Sequence, residues 1–134
     1  MYEHANDLKD IKKNQGFFAA VNYFINCSKS GGAWDLKSQS AWNLQPDIIY
    51  VYDGDEFIYD DIGNIHYGYV GRVLFKEKTL LFAAGVVQIA AGTSSWNYWD
   101  SNFDDPRDQF AISYGYSLWW RKLYKCYLEH GNTD

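Results

Sequence analysis

Apolar residues first recur at helical spacing from Phe17 onward, where Phe17, Phe18, Val21, Phe24 and Ile25 mark one face. Asn14 is placed to cap that helix and Gly31-Gly32 to end it. Residues 1–13 before it are polar and mixed in charge, which predicts a weakly ordered entry or a short helix led by Asp7. Asp47 to Tyr52, opened by Pro46, is rich in β-branched and aromatic residues and reads as a strand. Asp53-Gly54 is a hairpin turn signal, with Glu56 to Tyr59 as the return strand. Ile65 to Phe75 reads as a helix in which Gly68 and Gly71 admit a close neighbour. Lys78 to Ala91 is a clearer one, with Leu81, Ala84, Val87, Gln88 and Ala91 on one face and Thr79 at its start. An aromatic stretch follows from Gly92 to Phe103. The last helix is announced by Asp105 as N-cap, Pro106 at the first helical position and Asp108 in the first turn. Phe110, Tyr114 and Leu118 continue its inward stripe, and Arg121, Lys122 and Lys125 suit its C-terminal end. These elements predict an α+β fold: a predominantly helical single domain over residues 1–134 with one small β-hairpin.

Composition adds an aromatic excess of six Trp, twelve Tyr and eight Phe. Some of these rings must lie near the surface, where Trp and Tyr stack on sugars, bases or partner proteins. The net charge of −5 argues against a nucleic-acid binder working by bulk attraction. Cys27 and Cys126 fall in segments read as helices, as buried thiols or as a pair if the first and last helices are neighbours. Neither has the spacing of a zinc site, and no metal or cofactor is implied. No signal peptide or transmembrane-length run is visible, so membrane insertion is not expected. A domain of this kind that acts outside its own cell needs a larger carrier.

The candidate chemistry gathers in two stretches. Residues 60–72 bring Asp60, Asp61, Asn64, His66, Arg72 and three glycines together, a mixture that a turn alone does not need. The loop after the first clear helix holds Trp34, Asp35 and Lys37, either a charge pair beside an aromatic wall or a helix exit with a turn-forming Asp. Capping explains Asp105 and Asp108, which leaves Asp104 as the carboxylate without a structural reason. Two carboxylates at one cleft serve as acid and base in glycoside cleavage, and Asp35 and Asp61 are the first choices. Lys37 and Asn64 are suited to stabilising developing negative charge, and His66 to shuttling a proton or to a satisfied structural place. Trp34 and Trp96 are candidate stacking surfaces, Arg72 and Asp104 candidate substrate contacts. Gln88 on an inward stripe is either a substrate contact or a structural amide that needs partners.

Four motifs occur in a fixed order: Gly-Gly-Ala-Trp-Asp-Leu-Lys at 31–37, Gly-Asn-Ile-His-Tyr-Gly-Tyr-Val-Gly at 63–71, Ala-Ala-Gly-Val-Val-Gln at 83–88 and Asp-Asp-Pro-Arg-Asp-Gln at 104–109. The set resembles the bacterial polymorphic toxin type 44 domain family, over roughly Asn22 to Tyr114. The resemblance implies an antibacterial effector domain, delivered within a larger secreted or injected protein and paired with a cognate immunity protein. It marks Asp35, Lys37, Asn64, Tyr67 and Asp105 as pattern positions, with Tyr67 and Asp105 toward the substrate. The leading expectation is a hydrolase of cell-wall peptidoglycan acting in the periplasm of the recipient. A ribonuclease in the recipient cytoplasm, using Lys37, Arg72 and His66, is the alternative. A non-catalytic glycan- or protein-binding module is the third.

Overall fold

The polar opening segment folds because two small-to-medium apolar residues on it share a face. A computed structural model describes residues 1–91 and 105–130, with 86–91 and 122–130 as helix backbone alone. The first helix, α1 (Tyr2–Gln15), buries Ala5 and Leu8 completely and turns its charged residues outward. Gly16 ends it at φ 95°, a left-handed conformation that suits glycine, and α2 (Phe17–Ser28) starts at once and packs back on α1. Gly16 therefore stands at the N-cap of α2, and Asn14 lies inside α1. The buried stripe of α2 is Ala20, Phe24 and Cys27, whereas Phe18 is 86% exposed and Ile25 faces outward. Residue size misled the periodic reading here: the inward face takes the small Ala20 and Cys27 beside Phe24, and leaves the larger Phe18 and Ile25 outside.

A loop and one 3-10 turn (Ser40–Trp42) lead to the hairpin of β1 (Tyr50–Tyr52) and β2 (Asp55–Phe57), paired antiparallel with Val51 opposite Glu56. Asp53 and Gly54 both take positive φ, 54° and 86°, which matches the right-handed twist of the two strands. Tyr50 and Phe57 face inward over a small apolar cavity of about 130 Å³ bordered by Ile65, Tyr114 and Leu118. Strand β2 stops at Phe57 because α3 (Tyr59–Gly71) begins two residues later, six residues ahead of the position expected from periodicity. Helices α4 (Glu77–Ala91) and α5 (Pro106–His130) complete the chain. Among the described residues the fold is thus mostly helical α+β with one hairpin, as expected.

Helices α3 and α5 form its axis, and they run parallel. Contacts between Asp61 and Arg107, Asn64 and Asp108, and Arg72 and Tyr116 ascend together along both. Two glycines set their separation: a Cβ on Gly68 would collide with the carbonyl oxygen of Ile112, and one on Gly115 with that of Ile65. Gly71 leaves room for Leu80 of α4 and Phe24 of α2. Around this crossing Ile65, Val70, Leu80, Ile112 and Leu118 form the core with Phe24, Trp34 and Phe57. Each such fully buried aliphatic side chain contributes roughly 2 kcal/mol. On α5 the inward residues are Ala111, Ile112, Tyr114 and Leu118, while Phe110 is exposed.

Candidate active site

The exit loop of α2 is held by its own polar groups. Gly32 lies against the α2 terminus, where a Cβ would strike the Cys27 carbonyl. That same carbonyl accepts the Trp34 amide at 2.8 Å. Asp35 Oδ2 accepts the Gly31 amide at 2.8 Å, and the Asp35 carbonyl accepts both the amide and the hydroxyl of Ser38 at 3.0 Å. Side chains then alternate: Trp34 and Leu36 are buried, and Asp35 and Lys37 point the other way. Trp34 is a core ring, stacked on His4 and edged by Tyr23 and Phe24, so it presents no open face to a ligand.

Asp35 and Lys37 line a polar pocket of about 460 Å³ with Ser28, Ser30, Ser38 and Tyr59. The Lys37 ammonium sits 2.5 Å from Asp60 Oδ1, at the first turn of α3. Burial works to lower the Lys37 pKa, but the Asp60 hydrogen bond and charge, with Tyr59 and Asp108 behind them, outweigh it and raise it. Lys37 is accordingly a fixed cation and not a base. The Ser28 hydroxyl oxygen is buried without a hydrogen-bond partner among the described residues.

Behind the pocket, the first turns of α3 and α5 are cross-linked. Asp61, 2% exposed, accepts two hydrogen bonds from Arg107, at 2.8 and 2.6 Å, and a third from the Ile58 amide at 2.8 Å. The last bond runs from the third helical position back to the N-cap amide, which closes the start of α3. Asn64 Nδ2 donates to Asp108 Oδ1 at 2.7 Å. Asp105 Oδ1 accepts the Arg107 amide at 2.8 Å and caps α5, as its sequence position predicts. Asp61, Asn64 and Asp105 thus all belong to this brace, and among the described residues only Asp35 and Lys37 of the sequence candidates line the pocket itself.

The remaining candidates lie elsewhere. His66 is 1% exposed and inside the core, with Nε2 2.8 Å from Nδ1 of His4. Burial, then the neighbouring His4 and the Met1 ammonium, push its pKa down to about 3, so it is neutral at physiological pH. The Arg72 guanidinium lies between the rings of Tyr116 and Trp120, 4.6 Å from each, and donates to the Tyr116 carbonyl at 2.8 Å. Tyr67 packs on Phe24 with ring centroids 5.1 Å apart. Trp96 and Asp104, and the side chains of Gln88 and Cys126, lie outside the described residues. Cys27 is a buried free thiol.

Tyr59 and the three serines line the pocket although nothing in the sequence pattern singles them out, and Asp60 gains its task only from the fold. That task was legible in principle: of two adjacent carboxylates at a helix start, the third helical position caps and the second is free to face outward. The inference needed the start of α3 at Tyr59, which the expected strand concealed.

The bacterial toxin 44 family model matches residues 23–121, and the chain belongs to that family. Comparison with curated proteins and with solved structures gave no match. No helix among the described residues is long and apolar enough to cross a membrane.

Proposed function

We propose that this toxin domain is an antibacterial hydrolase of cell-wall glycan, with Asp35 as the proton-transferring carboxylate of the pocket. The observation that carries this reading is the pocket lining: the carboxylate residue Asp35, the fixed ammonium of Lys37, and the hydroxyl-bearing Ser30, Ser38 and Tyr59, with the Ser28 hydroxyl buried beneath them. Such a lining suits a hydroxyl-rich, uncharged substrate. Asp35 acts there as general acid or base at the scissile linkage, and Lys37 stabilises developing negative charge. Asp60 holds Lys37 charged, and Asp61, Asn64 and Asp105 keep both helix starts in place. The ribonuclease reading loses support, since His66 is enclosed in the core and Arg72 is occupied between two rings. As a toxin domain it is expected to travel within a larger delivered protein and to be neutralised by an immunity protein.

Expression of the domain in bacteria, once retained in the cytoplasm and once exported by an added signal peptide, tests this. Export should cause lysis with release of muropeptides. Asp35→Asn should abolish it with a fall of about 10²-fold or more in muropeptide release. Killing from the cytoplasm alone, with RNA degraded, overturns the assignment in favour of a nuclease.

A further inference from the structure

The two imidazoles beneath the pocket loop have no part in that chemistry. They nevertheless join a helix outside the family-matched span to the loop that carries Asp35. Helix α1 precedes residue 23, where the family match begins, yet Ala5 and Leu8 are buried completely. His4 of α1 stacks flat on Trp34, with centroids 5.0 Å apart and planes 16° off parallel. His66 of α3 meets His4 by its hydrogen bond, and the rings of Trp34 and Trp42 edge-on at 5.7 and 6.4 Å. Trp34 is the residue next to Asp35, so the inner wall of the pocket loop rests on His4.

We propose that α1 is an acid-released brace of the pocket: proton uptake by the His4–His66 pair detaches α1, frees Trp34 and loosens the loop holding Asp35 and Lys37.

The neutral pair shares one N–H and one lone pair. A first proton on an outward nitrogen keeps that bond but places a charge beside His66, 1% exposed in the core, and a second leaves two donors facing each other. Glu3 and Asp7 of α1 favour charge on His4, whereas its burial and the Met1 ammonium oppose it, and the net direction is downward. From α2 the nearest titratable groups are Tyr23, whose ring edges Trp34, and Cys27 beside it. His66 is faced by His4 and the Met1 ammonium, and burial is its largest influence. Both imidazoles therefore have docked pKa values below their ordinary 6.5. Below that pH the released helix binds protons that the docked helix does not. Docking should weaken about tenfold per pH unit for each proton, a loss that for His66 continues until pH falls to about 3.

Amide hydrogen exchange on the full chain between pH 7 and pH 4 reads this directly. Protection factors at Ala5 and Leu8 should fall about tenfold per pH unit below 6.5 while those at Ile112 of α5 hold. The double variant His4→Phe with His66→Phe should abolish the dependence. Constant protection of α1 down to pH 4, a simultaneous loss at α1 and α5, or an unchanged pH dependence in the double variant each overturns the proposal. Should the double variant not fold, a titration of the wild-type imidazoles by NMR decides. Protonation of His66 near pH 6.5 with α1 still protected overturns it; a neutral His66 for as long as α1 stays docked supports it. Loosening of the loop as a control of activity rests on the pocket being the active site, but release of α1 does not. Lysis on export with pH-independent α1 protection would sink the brace alone, and release of α1 from a domain without hydrolase action would sink the site assignment alone.

Discussion

Asp35 and Asp61 are both carboxylates near one pocket, and their surroundings give them opposite work. Asp61 is enclosed and accepts three hydrogen bonds, so its charge is spent on holding Arg107 and the start of α3. Arg107 is half exposed, which limits what the charge attraction alone contributes; the larger effect is the cost of stranding the buried partner. Arg107→Ala should leave the Asp61 carboxylate with one amide donor and cost about 2 kcal/mol, read as a lower urea midpoint with an unchanged slope. Asp35→Asn keeps an oxygen for the Gly31 amide, so its stability should match the parent within about 0.5 kcal/mol by the same titration. The sequence offered both residues as equals because adjacency to glycine and tryptophan does not reveal a hydrogen-bond partner 46 positions away. His66 illustrates the same blindness: a histidine among glycines reads as exposed chemistry until the fourth residue of the chain covers it.

Capping chemistry placed the start of α5 but not every helix: Asn14 and Thr79, offered as caps, lie inside α1 and α4. Asp105 and Pro106 gave the start of α5 to the residue, and Asp53-Gly54 gave the turn. The start of α3 was missed because Tyr59 follows two β-forming residues and the tertiary demand for Asp61 at the third helical position is not a local signal. Glycine spacing in α3 did announce a close neighbour, and for Gly68 it proved to be the Ile112 carbonyl on α5. Gly68→Ala and Gly115→Ala should each force the helices apart and cost about 3 kcal/mol, with unfolding at 37 °C the extreme outcome. Gly63 in the same helix faces open space, with nothing within 4 Å of where an added methyl would stand. Gly63→Ala should instead stabilise by about 0.5–1 kcal/mol. Thermal melts of the three variants side by side check this contrast. An equal effect at Gly63 and Gly68 would remove the close approach as the explanation.

At the scale of the molecule, the family-matched span does not hold all of the core. Residues 23–121 leave out α1 and the first turn and a half of α2, which supply Ala5, Leu8 and Ala20 to the core and His4 to Trp34. A chain starting at Gly16 should lose Leu8, Ala5 and the His4 contact together, and melt at least about 10 °C below the full chain. An unchanged melting temperature would show that α1 merely rests on the surface. The sequence reading left this segment between a weakly ordered entry and a short helix, because two buried side chains in fourteen residues are too few to raise a periodic signal.

The parallel pairing of α3 with α5 also sets an order in time. The contacts that join them bridge 44 to 50 residues, and Arg107 and Asp108 lie far downstream of the loop and helix start that shape the pocket. A chain made from its N-terminus exposes Asp35, Lys37 and Asp60 well before the residues that hold their scaffold exist. The pocket of the newborn chain therefore stays without its scaffold until the start of α5 has left the ribosome, and any partner that seizes α5 as it emerges would arrive before the pocket is braced.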